Sequence, residues 1–304
     1  MKVLVSGLVN IETTLKIKEF PISYYPIDYP FFGIKSNVSG VAFNVAKALR
    51  TLGNEVELVS FIGKDSEGER IRRALEKEQI GHQYVLEELK ETPASIVLFD
   101  GDGKRQIYCD LKDVQEKSVE WENFEEAIER CDMVAACNTN FNRGLLRKAK
   151  EAGKIIATDV HVLGDLQDAY NKEFMEYADI LFLSDEQITG EAERFLEDLK
   201  NTYPCKVITM GRGAKGALLY ERESNKLYQF DAVKVENVVN TVGAGDALFS
   251  AFLNYYGKGY DAVEALKRAE LFAAIKIGYN GAAEGFCDEK KVEEWYRERN
   301  ISVQ

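Results

Sequence analysis

Short runs of β-branched and apolar residues alternate, along almost the whole chain, with longer stretches of helical periodicity. Strands are expected at 2–9, 56–62, 94–99, 105–110, 133–137, 154–159, 180–183, 206–210 and 217–221. Helices are expected at 41–52, 66–80, 123–130, 143–152, 190–201, 244–256, 260–278 and 288–299. Gly53, Gly81, Gly153 and Gly257 each follow a helical pattern, where a left-handed stop residue is expected. Strands that alternate with helices must return through crossovers, so the fold class is α/β. The expected form is a three-layer α/β/α arrangement around a mostly parallel sheet.

Two segments break that rhythm. Residues 11–34 are rich in aromatics and contain Pro21, Pro26 and Pro30. Residues 92–111 read as two strands around the turn DGDGK, Asp100 to Lys104, a strong hairpin signal. Together they predict a small β-rich lid, from about 11–35 and 92–112, on a single domain spanning 1–304. The aromatics Tyr24, Tyr25, Phe31 and Phe32 would suit lid-to-lid packing in a homodimer. Equally, they could stack on a ligand or fill the lid's own core.

The 304 residues carry a formal net charge of −12, which argues against nonspecific binding to nucleic acid or to an anionic membrane. No run could span a bilayer, and MKVLVSGLVN reads as a first buried strand rather than a signal peptide. Cys109, Cys131, Cys137, Cys205 and Cys287 form no CxxC pair and no zinc spacing with His82 or His161, so buried free thiols are expected. A cytoplasmic compartment is the expectation.

The stretch NTVGAGDALFSAFLNYY, Asn240 to Tyr256, raises the functional question. Gly243 and Gly245 let the backbone turn tightly and approach a ligand without Cβ interference. The helix that follows leaves its first N–H groups unpaired and is partially positive at that end. Together these make an anion site, suited to a phosphoryl group. A lone acid such as Asp246 in a first turn is usually only a dipole-favoured acid. Here the helix beyond it is apolar on nearly every face and must be buried. An acid at the mouth of a buried helix, beside an anion cradle, is placed to abstract a proton from a hydroxyl.

TVGAGD resembles the signature of the PfkB, or ribokinase-like, family of small-molecule kinases, whose usual form is D-T-x-G-A-G-D. The likeness covers essentially the whole chain. GLVNIE, Gly7 to Glu12, is similar to the family's G-x-x-N-x-D. SGVAFNVAKALRTLG, Ser39 to Gly53, resembles G-G-x-x-x-N-x-A-x-x-L-x-x-L-G. GKDSEG, Gly63 to Gly68, matches G-x-D-x-x-G, and VITMGRGAKGALLY, Val207 to Tyr220, is similar to the strand and glycine loop on the nucleotide side.

The resemblance implies a ribokinase-like fold and ATP-dependent transfer of a phosphoryl group to a small sugar or nucleoside, with Mg²⁺. It implies Asp246 as the base, with Gly243, Ala244 and Gly245 holding the transferring phosphate. Asn10, Glu12, Gly40 and Asn44 would contact the acceptor, and Thr209, Gly211, Gly216 and Thr241 would line the nucleotide side. Taken alone, Asn44 would read as a surface amide near a helix start. Arg105 and Tyr108 on the hairpin are candidates for closure contacts, although such charges are more often solvated. The pattern departs from the family's in four places. Asn240 stands where most members have Asp, Ser184 and Gln187 occupy the positions of N-x-x-E, Glu12 replaces Asp, and Ser39 replaces Gly. Glu186 and Asn240 would then meet the metal, through water. Glu186 reads equally well as an ordinary exposed acid.

Three other readings compete. GRGAKG, Gly211 to Gly216, satisfies G-x-G-x-x-G, but strand-like alternation follows it where a dinucleotide site needs a helix. No GxxxxGK[ST] motif occurs, which disfavours a P-loop kinase. A noncatalytic sugar- or nucleoside-binding regulator on the same fold is the serious rival, motivated by Asn240, Ser184 and Gln187. The intact GAGD stands against it.

Overall fold

Val3 and Val5 point into one hydrophobic core and Leu4, between them, into another. That alternation, on a strand buried on both faces, is the signature of a sheet sandwiched between helix layers. The computed structural model describes residues 1–101, 103–299 and 301–303.

The strands are β1 (Lys2–Ser6), β2 (Asn10–Lys16), β3 (Ile34–Ser39), β4 (Glu55–Gly63), β5 (Gly81–Leu89), β6 (Ala94–Phe99) and β7 (Arg105–Asp110). They continue with β8 (Met133–Ala136), β9 (Ile155–Val162), β10 (Ile180–Ser184), β11 (Val207–Gly211), β12 (Ala217–Glu221) and β13 (Lys226–Phe230). The helices are α1 (Val41–Thr51), α2 (Ser66–Lys77), α3 (Glu125–Arg130), α4 (Arg143–Glu151), α5 (Lys172–Tyr177), α6 (Ala192–Thr202), α7 (Ala244–Gly257), α8 (Ala262–Lys276) and α9 (Glu289–Glu298).

The large sheet runs β13-β12-β11-β10-β9-β8-β1-β4-β5, parallel except where β12 pairs antiparallel with β11 and β13. Side chains of α1, α2, α7, α8 and α9 pack on one face and those of α3, α4, α5 and α6 on the other. From β1 the chain builds outward through β4 and β5, then restarts at β8 on the opposite side. The reversal lies between β1 and β8, and ligands of open α/β sheets bind at the carboxyl ends of strands beside such a reversal. A second sheet, β3-β2-β6-β7, is antiparallel apart from the parallel pair β2 and β6.

The hairpin reading of 92–111 matches β6 and β7, closed by Asp100 N–H to the Lys104 carbonyl at 3.1 Å; Asp102, inside that turn, lies outside the described residues. The expected strand 2–9 instead stops at Ser6, and a separate strand begins at Asn10, because the backbone breaks at Gly7 to join the second sheet. β2, β3, β5 and the short α5 escaped the sequence reading. β2 (NIETTLK) and β3 (IKSNVS) carry polar residues that face the cleft or solvent and blur strand periodicity. Two helix stops were misplaced: Gln79 and Gly259, rather than Gly81 and Gly257, take the positive φ. Gly257 is still helical, and a Cβ there would lie 2.4 Å from Met1 Sδ. Cys131, Cys137 and Cys205 are buried as expected, Cys287 is half-buried, and Cys109 on β7 is exposed. No described helix is long and apolar enough to cross a membrane.

Candidate active site

The large and small sheets meet where β1 gives way to β2, and every acceptor-side residue expected from sequence sits there. Asn10 and Glu12 are on β2, Ser39 ends β3, Gly40 caps α1, and Asn44 lies in its first turn. Asn10, Glu12, Ser39 and Asn44 are all buried. The Ser39 hydroxyl lies 3.3 Å from Glu12 Oε2 and 3.2 Å from Asn44 Oδ1, and donates to one at a time. Asn44 Nδ2 then donates to Asp246 Oδ2 at 2.7 Å. A polar chain therefore runs from the small sheet, through α1, to the start of α7. Asn10 Nδ2 donates to Ser95 Oγ at 3.0 Å, but its Oδ1 has no partner among the described residues. A buried acceptor left open at a cleft is a place for a ligand hydroxyl.

Gly243, the N-cap of α7, has φ 78°, and a Cβ there would sit 2.3 Å from the Ala282 carbonyl oxygen. Only glycine fits that crossing of two backbones. The Ala244 N–H is taken by the Thr241 carbonyl, and the first helical bond is Ala247 N–H to Gly243. No side chain caps α7. The N–H groups of Gly243, Gly245 and Asp246 thus have no acceptor among the described residues, and a Cβ at Gly245 would meet nothing within 4 Å. Free donors around open space fit an anion. Asn240 shapes this turn: its Oδ1 accepts from Val242 N–H at 2.9 Å and its Nδ2 donates to Asn280 Oδ1 at 3.0 Å.

Burial raises the pKa of Asp246 first of all; the Asn44 amide, His161 and Lys276 pull it down, and Asp159 pushes it up. Asp246 itself is half-buried. Burial likewise raises Glu12, opposed by the Ala282 N–H at 3.3 Å and by Ser39.

The other expected residues fare differently. Thr209 is fully buried within β11, its hydroxyl without a partner among the described residues. Gly216 is buried too, and its φ of 88° and a Cβ position 1.9 Å from the Phe230 carbonyl give it a packing reason. Neither borders an open cleft in this arrangement. Gly211, at the end of β11, and Thr241, before the turn, remain partly exposed. Arg105, the first residue of β7, spans the space between the sheets: its guanidinium donates to Thr241 Oγ1 at 3.1 Å and to Glu186 Oε1 at 2.8 Å. Its partner on the hairpin, Tyr108, contacts Gln106 instead.

The metal contact expected at Glu186 and Asn240 is one through water. The Asn240 oxygen is turned onto Val242 N–H, Glu186 is held by Arg105, and no group of three His, Cys, Asp or Glu that could hold a metal gathers among the described residues. Sequence reading also missed two residues. Lys276 is fully buried with its Nζ on the Val242 carbonyl; its signal was a lone charge in the apolar run LFAAIKIG. His161 takes φ 58° at the end of β9, its N–H on Asp159 Oδ1 at 2.8 Å, and nothing in the sequence marks that strain. A hollow of about 560 Å³ beside α6, lined by residues such as Glu193, Arg194 and Tyr220, lies elsewhere and has no such network.

The family profile described as pfkB family carbohydrate kinase matches residues 2–289. The chain belongs to that family. Within it, an ATP-dependent ribose-1-phosphate kinase from Halopiger xanaduensis is 26% identical over 287 residues, covering 93% of this chain and 94% of that protein. A nucleoside kinase from Methanocaldococcus jannaschii is 23% identical, covering 93% and 91%. Among solved structures, a microbiome-derived acarbose kinase superposes with a TM-score of 0.87 at 25% identity, covering 96% of this chain and 98% of that one. Arabidopsis thaliana ribokinase, solved with ribose and ATP, gives 0.79 at 20% identity, covering 96% and 97%. This pfkB-family chain therefore has the ribokinase-like α/β fold.

Proposed function

We propose that the chain transfers the γ-phosphoryl group of ATP to a hydroxyl of a small, uncharged sugar-like acceptor. The observation that carries this reading is the 2.7 Å bond from Asn44 to Asp246, which joins the acceptor wall to the anion turn. Asn44 occupies Oδ2 of the carboxylate and leaves Oδ1 for a proton. The acceptor oxygen attacks the γ-phosphorus, its proton passes to Asp246, and the bond to the β-γ bridging oxygen breaks to release ADP. The N–H groups of Gly243, Gly245 and Asp246 hold the charge on the transferring group. Asn10 Oδ1 and Glu12 would take acceptor hydroxyls, and the acid on that wall opposes a second phosphate.

ATP supplies the phosphoryl group. Its phosphates match the free amides of the turn, and Glu186 and Asn240 would meet a divalent ion carried in with ATP only through water. The contact of Arg105 with Thr241 and Glu186 supports a lid role for the small sheet, closing the cleft against water. The intact turn, with its base oriented by Asn44, favours turnover over a binding-only role.

The face of that sheet supports a homodimer. Tyr24, Phe31 and Phe32, in the connection from β2 to β3, are 88%, 85% and 98% exposed, and Ile96 and Tyr108, paired across β6 and β7, add exposed apolar area on one face of the small sheet. They fill no core of their own, and a second copy of the chain would cover them. Sedimentation should give a dimer that Ile96→Glu splits; a monomer at every concentration refutes this pairing. The three buried free thiols suit a reducing cytoplasm.

A panel of free sugars, nucleosides and phosphosugars, assayed for ATP-dependent product, tests the main reading. Turnover of an uncharged sugar supports it; turnover of phosphosugars alone would redraw the acceptor wall.

A further inference from the structure

Lys276 is fully buried on α8, flanked by Ile275 and Ile277. No carboxylate lies within ion-pair distance of its Nζ among the described residues, and its hydrogen bond goes to the carbonyl oxygen of Val242. Val242 immediately precedes Gly243, so the ammonium is attached to the back of the anion turn. The charged groups that face it come from four directions: Asp246 on α7, Glu12 on β2, Glu284 beyond α8, and Arg105 on β7. An ammonium removed from water with no adjacent counter-charge weakens a fold, and a methionine of similar length would fit an apolar helix better. Such an arrangement persists where it serves a site.

We propose that Lys276 is a positioning residue for phosphoryl transfer, fixing the Asn240–Gly245 turn through the Val242 carbonyl and supplying an internal positive charge behind the transferring group. This rests on the kinase reading. The amides at a helix start amount to about half a positive charge, less than the charge carried by a phosphoryl group in transfer. A fixed ammonium in a water-poor interior adds to them at little reorganisation cost. It also opposes the effect of burial on Asp246 and favours the ionised base. Burial pulls its own pKa down to about 8, while Asp246 and Glu12 push it back up.

The test compares the full chain with Lys276→Met and Lys276→Ala, in choline chloride and in ammonium chloride at equal ionic strength. Lys276→Met should melt at or above the unmodified protein, because a buried charge has gone and its volume is kept, whereas Lys276→Ala, which opens a cavity, should melt below Lys276→Met. With either variant, kcat should fall ~100-fold with acceptor KM within ~3-fold. Ammonium should restore Lys276→Ala at least ~10-fold, by entering the vacated space, but should restore neither Lys276→Met nor change the unmodified chain. Affinity for ADP with aluminium fluoride, a stand-in for the transferring group, should drop in both variants, a readout that needs no turnover. Wild-type kcat and affinity in either variant would overturn the proposal. So would a lowered melting point of Lys276→Met together with no ammonium rescue of Lys276→Ala, or failure of both variants to fold, since the lysine would then be a structural element. Absence of turnover by the unmodified chain would count against the kinase reading alone, with the ADP–aluminium fluoride contrast still deciding the role of Lys276.

Discussion

Asn44 and Asp246 lie 202 residues apart in sequence and are joined by a 2.7 Å hydrogen bond. One stands in the first turn of α1 and the other in the first turn of α7, two helices packed on the same face of the large sheet. The bond holds the carboxylate in one orientation and opposes the effect of burial on its proton affinity.

That pairing gives a pH prediction. Asp246 must be ionised to take a proton, and burial raises its pKa above the ordinary carboxylate value. Turnover should therefore fall, as pH drops, at a higher pH than a solvent-exposed acid would dictate. Asn44→Leu removes a contact that lowers the pKa, so the acid limb of the kcat profile should move to still higher pH. An unmoved limb would contradict the assignment.

The alkaline limb belongs to Lys276. Its cationic form is lost as pH rises through about 8, so kcat should decline across that range. The Lys276 contribution to stability runs the other way. Between about 8 and the ordinary lysine value of 10.5 the unfolded chain binds the extra proton, so unfolding becomes harder as pH rises. Lys276→Met should lack both trends, as pH-rate profiles and thermal melts would show.

Two glycines of the turn should separate folding from function. Gly243→Ala forces a side chain at φ 78° against the Ala282 carbonyl and should cost about 1–3 kcal/mol of stability, with activity lost. Gly245→Ala adds a methyl to open space, so the melting point should hold while kcat/KM for ATP falls ~10-fold. Calorimetric melts beside kinetics decide this.

Arg105→Gln should remove the bridge to Thr241 and Glu186. The pair is exposed to solvent, so stability should change by less than ~1 kcal/mol. ATP hydrolysis without acceptor should rise relative to transfer, because closure excludes water. An unchanged ratio would argue against closure through Arg105.

The α/β alternation and the glycine turn before α7 were legible because their signals are local: buried parallel strands are continuous apolar runs, and GAGD announces both the bend and the acid. Asn44 could be read only through its motif, since its partner is brought to it by the packing of α1 beside α7. β2 and β3 were invisible because their cleft-facing residues are polar. The hydrogen bond of the Asn240 oxygen with Val242 N–H is a local detail that no spacing reveals. Lys276 went unread, because its meaning depends on the Val242 carbonyl that α8 carries it to.

The most direct test of the central claim is Asp246→Asn, which keeps shape and hydrogen bonding but cannot accept the proton. Its kcat for phosphoryl transfer should fall by ~10³-fold or more, with acceptor affinity, measured by calorimetry, within ~2-fold of the unmodified chain. A variant that still phosphorylates at the original rate would show that Asp246 is not the base.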